Sequence, residues 1–243
     1  MKKLLTIFII LFAFSGFSQI LTDGSGDIVA SPYRYIKDDI SAWTAGTGTY
    51  INGSDATRDY IECTSAGTMG ISSMQAYDTW EWDAYKLDAG TIYIQPIKDG
   101  ITINTVGNGY YIGNQSAENI YMGRTLAGTP SSLFTATNYN TGDTWYSYRL
   151  TRSASGVFTY YIRGGEFGNI WSLVNVTSGS NPVIENTITT STYFVIHCTT
   201  GGRISNIRFK DDYKTILLND YIDESYKEIN LKEYYNIQYK EAA

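Results

Sequence analysis

Between Thr79 and Phe209 hydrophobic and polar residues alternate in short runs, the period-two pattern of strands with one buried face. The run Thr79 to Leu87 is the clearest. Trp80, Trp82 and Ala84 fall on one face, and Glu81, Asp83 and Tyr85 on the other. Asp88-Ala89-Gly90 turns the chain into a second β-rich run, Thr91 to Ile97, in which Tyr93 and Gln95 alternate with Ile92 and Ile94. Trp145 to Arg152 and Val157 to Arg163 flank Ser153-Ala154-Ser155-Gly156, a short loop with Gly where a hairpin needs it. Tyr193 to Cys198 and Arg203 to Phe209 read as the next strand pair, around Gly201-Gly202. No helical periodicity separates the runs and no fixed period repeats. The pattern therefore predicts an all-β antiparallel sandwich or barrel.

The two ends of the chain break this pattern. Met1-Lys2-Lys3 is a basic start, Leu4 to Phe14 is apolar but for Thr6, and Ser15-Gly16-Phe17-Ser18-Gln19 supplies small residues for cleavage. Residues 1–18 thus read as a secretory signal peptide, with Gln19 as the mature N-terminus. The apolar run is far short of the ~20 residues that span a bilayer, so no membrane insertion is expected after cleavage. The expected location is outside the cytoplasm: secreted, periplasmic or at the cell surface. At the other end, residues 210–243 carry 13 charged residues in 34, against 27 of 191 in residues 19–209. That shift marks a boundary between a domain at 19–209 and a charged, Tyr-rich C-terminal extension. The extension is either a docking segment for a protein partner or a charged tail.

Composition narrows the class. Charged residues are 17% and aromatics 15%, the reverse of a disordered chain. A net charge of −6, which becomes more negative once Lys2 and Lys3 are cleaved away, argues against a nucleic-acid partner. Export bears on the two cysteines. Cys63 follows Ile61, and Cys198 follows Phe194 and Ile196, so both lie on apolar faces. In an oxidising compartment they can form a disulfide; two buried free thiols are the alternative. Two Cys and one His do not suggest a metal site. Asp23-Gly24-Ser25-Gly26-Asp27 is shorter than a Ca²⁺-binding EF-hand loop and reads as a flexible start. No cofactor is expected, and a Ca²⁺ requirement has no motif to support it.

Three segments resemble the concanavalin A-like lectin/glucanase jelly rolls, the superfamily that includes laminin-G-like domains. Trp80-Glu81-Trp82-Asp83-Ala84-Tyr85-Lys86 is similar to an early strand of that fold. Thr144 to Arg152 with Gly156 to Gly165 is similar to its central hairpin, and Arg203 to Phe209 to its closing strand. The resemblance implies a two-sheet jelly-roll sandwich with any carbohydrate site on the concave sheet. Glycan-cleaving relatives carry Glu-x-Asp-x-x-Glu, two carboxylates serving as acid and nucleophile. Here Lys86 stands where the second Glu belongs, on a strand that the resemblance does not make catalytic. His197, the single His, lacks the Gln-x-His context of the lyase branch, and no Gly-x-Ser-x-Gly elbow occurs.

Binding is what remains. Aromatic faces against sugar C–H surfaces and planar polar groups against hydroxyls are what a glycan requires. Glu81, Asp83, Tyr85, Tyr93, Gln95 and His197 are expected to form one polar-aromatic surface for a glycan or cell-surface polysaccharide. The rival reading is a structural or assembly protein, a surface or virion component using the jelly roll as a packing unit. A glycan-degrading hydrolase or lyase is the third.

Overall fold

The structure, a computed structural model, describes residues 40–115 and 118–210, with short strands at 21–22, 28–29 and 33–35. The signal segment, the Asp23–Asp27 stretch and the extension beyond Lys210 lie outside the described residues. In chain order the strands begin with β1 (Leu21–Thr22), β2 (Ile28–Val29), β3 (Tyr33–Tyr35) and β4 (Thr44–Ala45). There follow β5 (Thr49–Ser54), β6 (Asp59–Ser65), β7 (Gly67–Ser72), β8 (Asp78–Lys86) and β9 (Ile92–Lys98). Next come β10 (Gly109–Asn114), β11 (Ile120–Leu126), β12 (Thr129–Ala136), β13 (Thr144–Arg152) and β14 (Val157–Arg163). The last are β15 (Ser172–Leu173), β16 (Ser178–Gly179), β17 (Val183–Ile184), β18 (Tyr193–Cys198) and β19 (Arg203–Lys210). Single 3-10 turns occur at Ile40–Ala42 and Gly165–Phe167. Among the described residues no helix is long and apolar enough to cross a membrane.

Beyond the small β1–β2 pair, two antiparallel sheets account for the strands. Sheet I runs β15-β14-β13-β8-β19-β6-β5, with β17 also on β14 and β3 on β19. Sheet II runs β16-β12-β11-β10-β9-β18-β7-β4. Among the longer strands the chain changes sheet between β6 and β7, β7 and β8, β8 and β9, β12 and β13, and β18 and β19, and the short β4 and β16 are further crossings into sheet II between strands of sheet I. Neighbours within a sheet are therefore often distant in sequence, as in β8 with β19 and β9 with β18. That is the interleaved order of a jelly roll.

This order corrects one sequence expectation. Tyr193–Cys198 and Arg203–Phe209 do not pair with each other, because β18 joins sheet II and β19 joins sheet I. Asp88-Ala89-Gly90 turns the chain from β8 into β9, as expected, and the turn carries it from sheet I to sheet II. A turn with Gly fits a hairpin or a crossover, and only the packing of two sheets selects between them.

The facing sides of the sheets fill the core. Trp80, Trp82 and Ala84 point inward from β8, and Phe158, Tyr160 and Ile162 from β14, as the alternation predicts. Trp82, Tyr148 and Tyr160 stack at centroid distances of 5.8 to 6.0 Å. Phe194 of β18 stacks on Phe209 of β19 at 5.2 Å, joining the sheets. Arg152 is also buried, donating to Ala76 O (2.9 Å), Glu185 O (3.1 Å) and Asn186 Oδ1 (3.1 Å). Its guanidinium lies 4.6 to 5.0 Å from the Tyr77, Phe158 and Tyr110 rings. Carbonyl dipoles and π faces thus replace the water that a buried cation loses.

Candidate functional site

Strand register sets out the outer face of sheet I as rows of side chains. In the central row Arg163 of β14 stands opposite Ser147 of β13, which stands opposite Asp83 of β8. On one side the row is Trp145, Tyr85, Arg203 and Glu62; on the other it is Tyr161, Arg149, Glu81 and Arg208. These residues face outward because their strand neighbours Tyr146, Tyr148, Trp82 and Ala84 fill the core. A bulge in β19 between Ser205 and Arg208 brings in one more polar group. Asn206, at φ +52°, donates its amide to Asp83 Oδ2 at 2.6 Å.

Walls rise where aromatic rings stand beside the small Ser147. Trp145 packs on Tyr85 (5.5 Å) and Tyr60 (6.0 Å) and carries the Arg58 guanidinium over its ring at 4.4 Å. Trp171 comes from the segment after β14. Gly164 (φ +99°) and Gly165 (φ +48°) fold that segment back, and β15 pairs with β14 as Ile162 with Ser172. That register carries Trp171 to Arg163, whose guanidinium lies 4.4 Å from its ring; the Arg149 guanidinium lies at 4.3 Å. A Cβ at Gly165 would sit 2.7 Å from the Tyr146 ring, so this close fold-back needs glycine.

A cleft of about 390 Å³ opens here, lined by Arg58, Asp83, Trp145, Ser147, Arg163 and Asn169 among others. A smaller recess of about 40 Å³ shares Asp83, Ser147 and Arg163 and adds Glu81, Trp171, Asn206 and Arg208. Ion pairs stiffen its rim. Arg58 Nη1 meets Asp83 Oδ2 at 2.7 Å, Arg149 Nε meets Glu81 Oε1 at 2.5 Å, and Arg203 Nε meets Glu62 Oε2 at 3.2 Å. Arg208 lies 3.9 Å from Glu81 Oε2. Concave shape, aromatic walls and a few convergent polar groups are the features of a ligand site.

The six residues expected to share one surface are divided by the fold. Glu81, Asp83 and Tyr85 line or border this cleft. Tyr93, Gln95 and His197 lie on the outer face of sheet II, because β8 and β9 belong to different sheets. There His197 stacks on Tyr93 (5.4 Å, 5° between planes), and Tyr93 meets Tyr111 and Tyr121 edge-on. Gln115 Nε2 donates to the Tyr93 and Tyr121 hydroxyls, both at 3.2 Å. Gln95 is sealed in, donating to Thr102 O at 2.9 Å. Sequence reasoning missed Arg58, Trp145, Ser147, Arg163, Asn169, Trp171 and Asn206 as site residues. Trp145 and Ser147 were legible as the outward alternation of β13. Asn169 and Trp171 follow a strand end and carried no pattern.

Cys63 and Cys198 are both buried free thiols in the core, on sheets I and II respectively. Cys63 Sγ donates to Cys198 O at 3.2 Å, and burial pushes the Cys198 thiol pKa well up. Among the described residues no group of three or more His, Cys, Asp or Glu is arranged to hold a metal ion.

No protein-family profile and no curated protein matches the sequence. Solved structures do match. The carbohydrate binding module CBM66 from Bacillus subtilis aligns with a TM-score of 0.52 at 12% identity, over 69% of this chain and 94% of that one. A β-glucanase from Bacillus licheniformis aligns at 0.47 and 10% identity, over 70% and 92%. The Caenorhabditis elegans galectin LEC-6 aligns at 0.38 and 10%, over 64% and 97%. With two antiparallel sheets in interleaved order and nearly all of the binding module matched, the chain has the jelly-roll fold that its resemblance to the concanavalin A-like lectins and glucanases implies.

Proposed function

We propose that the protein is an exported glycan-binding module that holds a saccharide in the sheet I cleft without cleaving it. The observation that carries this reading is the Ser147 floor between Trp145 and Trp171, with the Asp83, Asn206 and Arg163 side chains converging on it. A sugar ring offers a C–H face to an indole and hydroxyls to planar amide, carboxylate and guanidinium groups. The cleft supplies both kinds of partner, held by ion pairs so that little side-chain entropy is lost on binding. The fold likeness to a protein described as a carbohydrate binding module supports the same class.

The non-catalytic part rests on the carboxylates. A glycosidase needs one carboxyl to protonate the leaving oxygen and a second to attack or activate water. Asp83 Oδ2 accepts from both Arg58 and Asn206, and Glu81 meets Arg149 and Arg208. These oxygens are engaged in holding the cleft in shape. Export rests on residues 1–18 and is tested by N-terminal sequencing of the protein outside the cell, where an intact Met1 overturns it.

The binding test is a glycan array probed with the chain, with and without Ca²⁺, followed by product analysis on any polysaccharide retained. Binding without cleavage is expected, with the Trp171→Ala variant weakened at least about tenfold and Tyr93→Ala unchanged. Loss of binding in Tyr93→Ala alone moves the site to sheet II and overturns the assignment. Cleavage products overturn the non-catalytic reading, and an array without binding overturns the whole.

A further inference from the structure

The outer face of sheet I is richer in cations than a protein of net charge −6 would suggest. Five arginines reach the cleft or its rim: Arg58, Arg149, Arg163, Arg203 and Arg208. Four of them meet a carboxylate within 4 Å: Arg58 on Asp83, Arg149 and Arg208 on Glu81, and Arg203 on Glu62. Arg163 is different. Among the described residues its guanidinium has no carboxylate within ion-pair distance and no side-chain hydrogen bond; its recorded contact is the Trp171 ring. The other acids nearby are engaged elsewhere. Glu166 Oε2 accepts the Tyr146 hydroxyl at 2.5 Å, and Asp55 Oδ1 accepts from Thr57 and Arg58 within its own turn.

Arg163 also has the placement of a recognition group. It lines both the cleft and the smaller recess, in the central row beside Ser147 and Asp83. The cation–π contact with Trp171 holds the guanidinium beside the cleft while its N–H groups make no side-chain hydrogen bond among the described residues. A planar, weakly hydrated cation of this kind pairs with an anion through two parallel hydrogen bonds. An uncharged hydroxyl uses only part of that capacity.

We propose that the cleft selects an anionic saccharide, one bearing a carboxylate or sulfate group, and that Arg163 binds that group. The inference rests on the glycan-binding reading above and adds the ligand class. The sugar ring stacks against the Trp145 or Trp171 wall, its hydroxyls meet Asp83 and Asn206, and its anionic substituent takes two parallel N–H groups of Arg163.

The test is calorimetric titration of the full chain with three hexasaccharides of equal length: galacturonic acid, sulfated galactose and neutral galactose. At least one anionic hexamer is expected to bind about tenfold or more tightly than the neutral one. The advantage should shrink as salt is raised from about 50 to about 500 mM, since the rim is solvent-accessible. Arg163→Gln should remove the preference while leaving the melting temperature unchanged, and Arg163→Lys should restore part of it. Comparing the two anionic hexamers separates carboxylate from sulfate. If all three bind equally, or Arg163→Gln keeps the preference, the anionic assignment is overturned and glycan binding stands. If none binds, and the array is also blank, both readings fall.

Discussion

His197 shows how a residue's environment sets its behaviour. It is the single His of the chain, stacked flat on Tyr93 and opposite Thr68 in the register of β18 with β7. Its Nδ1 is buried with no hydrogen-bond partner among the described residues. Burial lowers its pKa below the usual 6.5, because the charged imidazolium loses water and gains no anion in exchange. The unfolded chain takes up this proton first as pH falls. The contribution of His197 to stability is therefore complete above about pH 6.5 and is lost as pH drops below it. Melting temperatures of the wild type and His197→Gln between pH 8 and pH 5 check this. The wild type should lose more stability than the variant below pH 6.5, and parallel curves count against it. The same residue in a signal-poor sequence was legible only as an outward position on a strand. Its ring partner Tyr93, however, was correctly placed on the same side of the same sheet face, since both alternate against inward isoleucines.

At the scale of elements, β6 and β18 are joined through the turn that follows β18. Cys63 N donates to Gly202 O at 2.9 Å and Gly201 N to Cys63 O at 2.7 Å, which brings Cys198 and Cys63 together although they are 135 positions apart. A disulfide here would tie sheet I to sheet II and stabilise by about 4 to 5 kcal/mol in the chain-entropy model, less any strain. Closing it moves two electrons and two protons from the thiols to a disulfide oxidant. Cys63 and Cys198 are both sealed in the core away from an oxidant in solution, so the bond should form during folding. Refolding with oxidised glutathione is expected to leave no thiol titratable in denaturant and to raise the melting temperature. Cys63→Ser should show no such rise. Two titratable thiols after refolding would argue for a permanently reduced pair. The alternation of β6 and β18 was enough to place both sulfurs inward. Their meeting depended on the turn at Gly201-Gly202, whose route between sheets no local pattern records.

For the molecule as a whole, the described strands lie within the compact unit that ends at Asp211, and the cleft is built from β8, β13, β14 and β19, the segment after β14 and the β5–β6 turn that carries Arg58. A chain ending at Asp211 should therefore keep the melting temperature of the domain and its saccharide affinity. Loss of binding with an intact fold would assign the charged extension a part in recognition. The sequence by itself determined that the protein is all-β, which faces of β8 and β14 turn inward, and that Glu81, Asp83 and Tyr85 face outward. Period two is a property of the strand backbone, so it is written in consecutive residues. Which sheet each strand joins was decided by tertiary structure alone. Sheets pair strands such as β8 with β19 across more than a hundred residues, and a turn of Asp-Ala-Gly serves a hairpin or a crossover equally well. For that reason Tyr93, Gln95 and His197 parted from Glu81 and Asp83. For the same reason Arg163, Trp171 and Asn206, far apart or unpatterned along the chain, came together around Ser147.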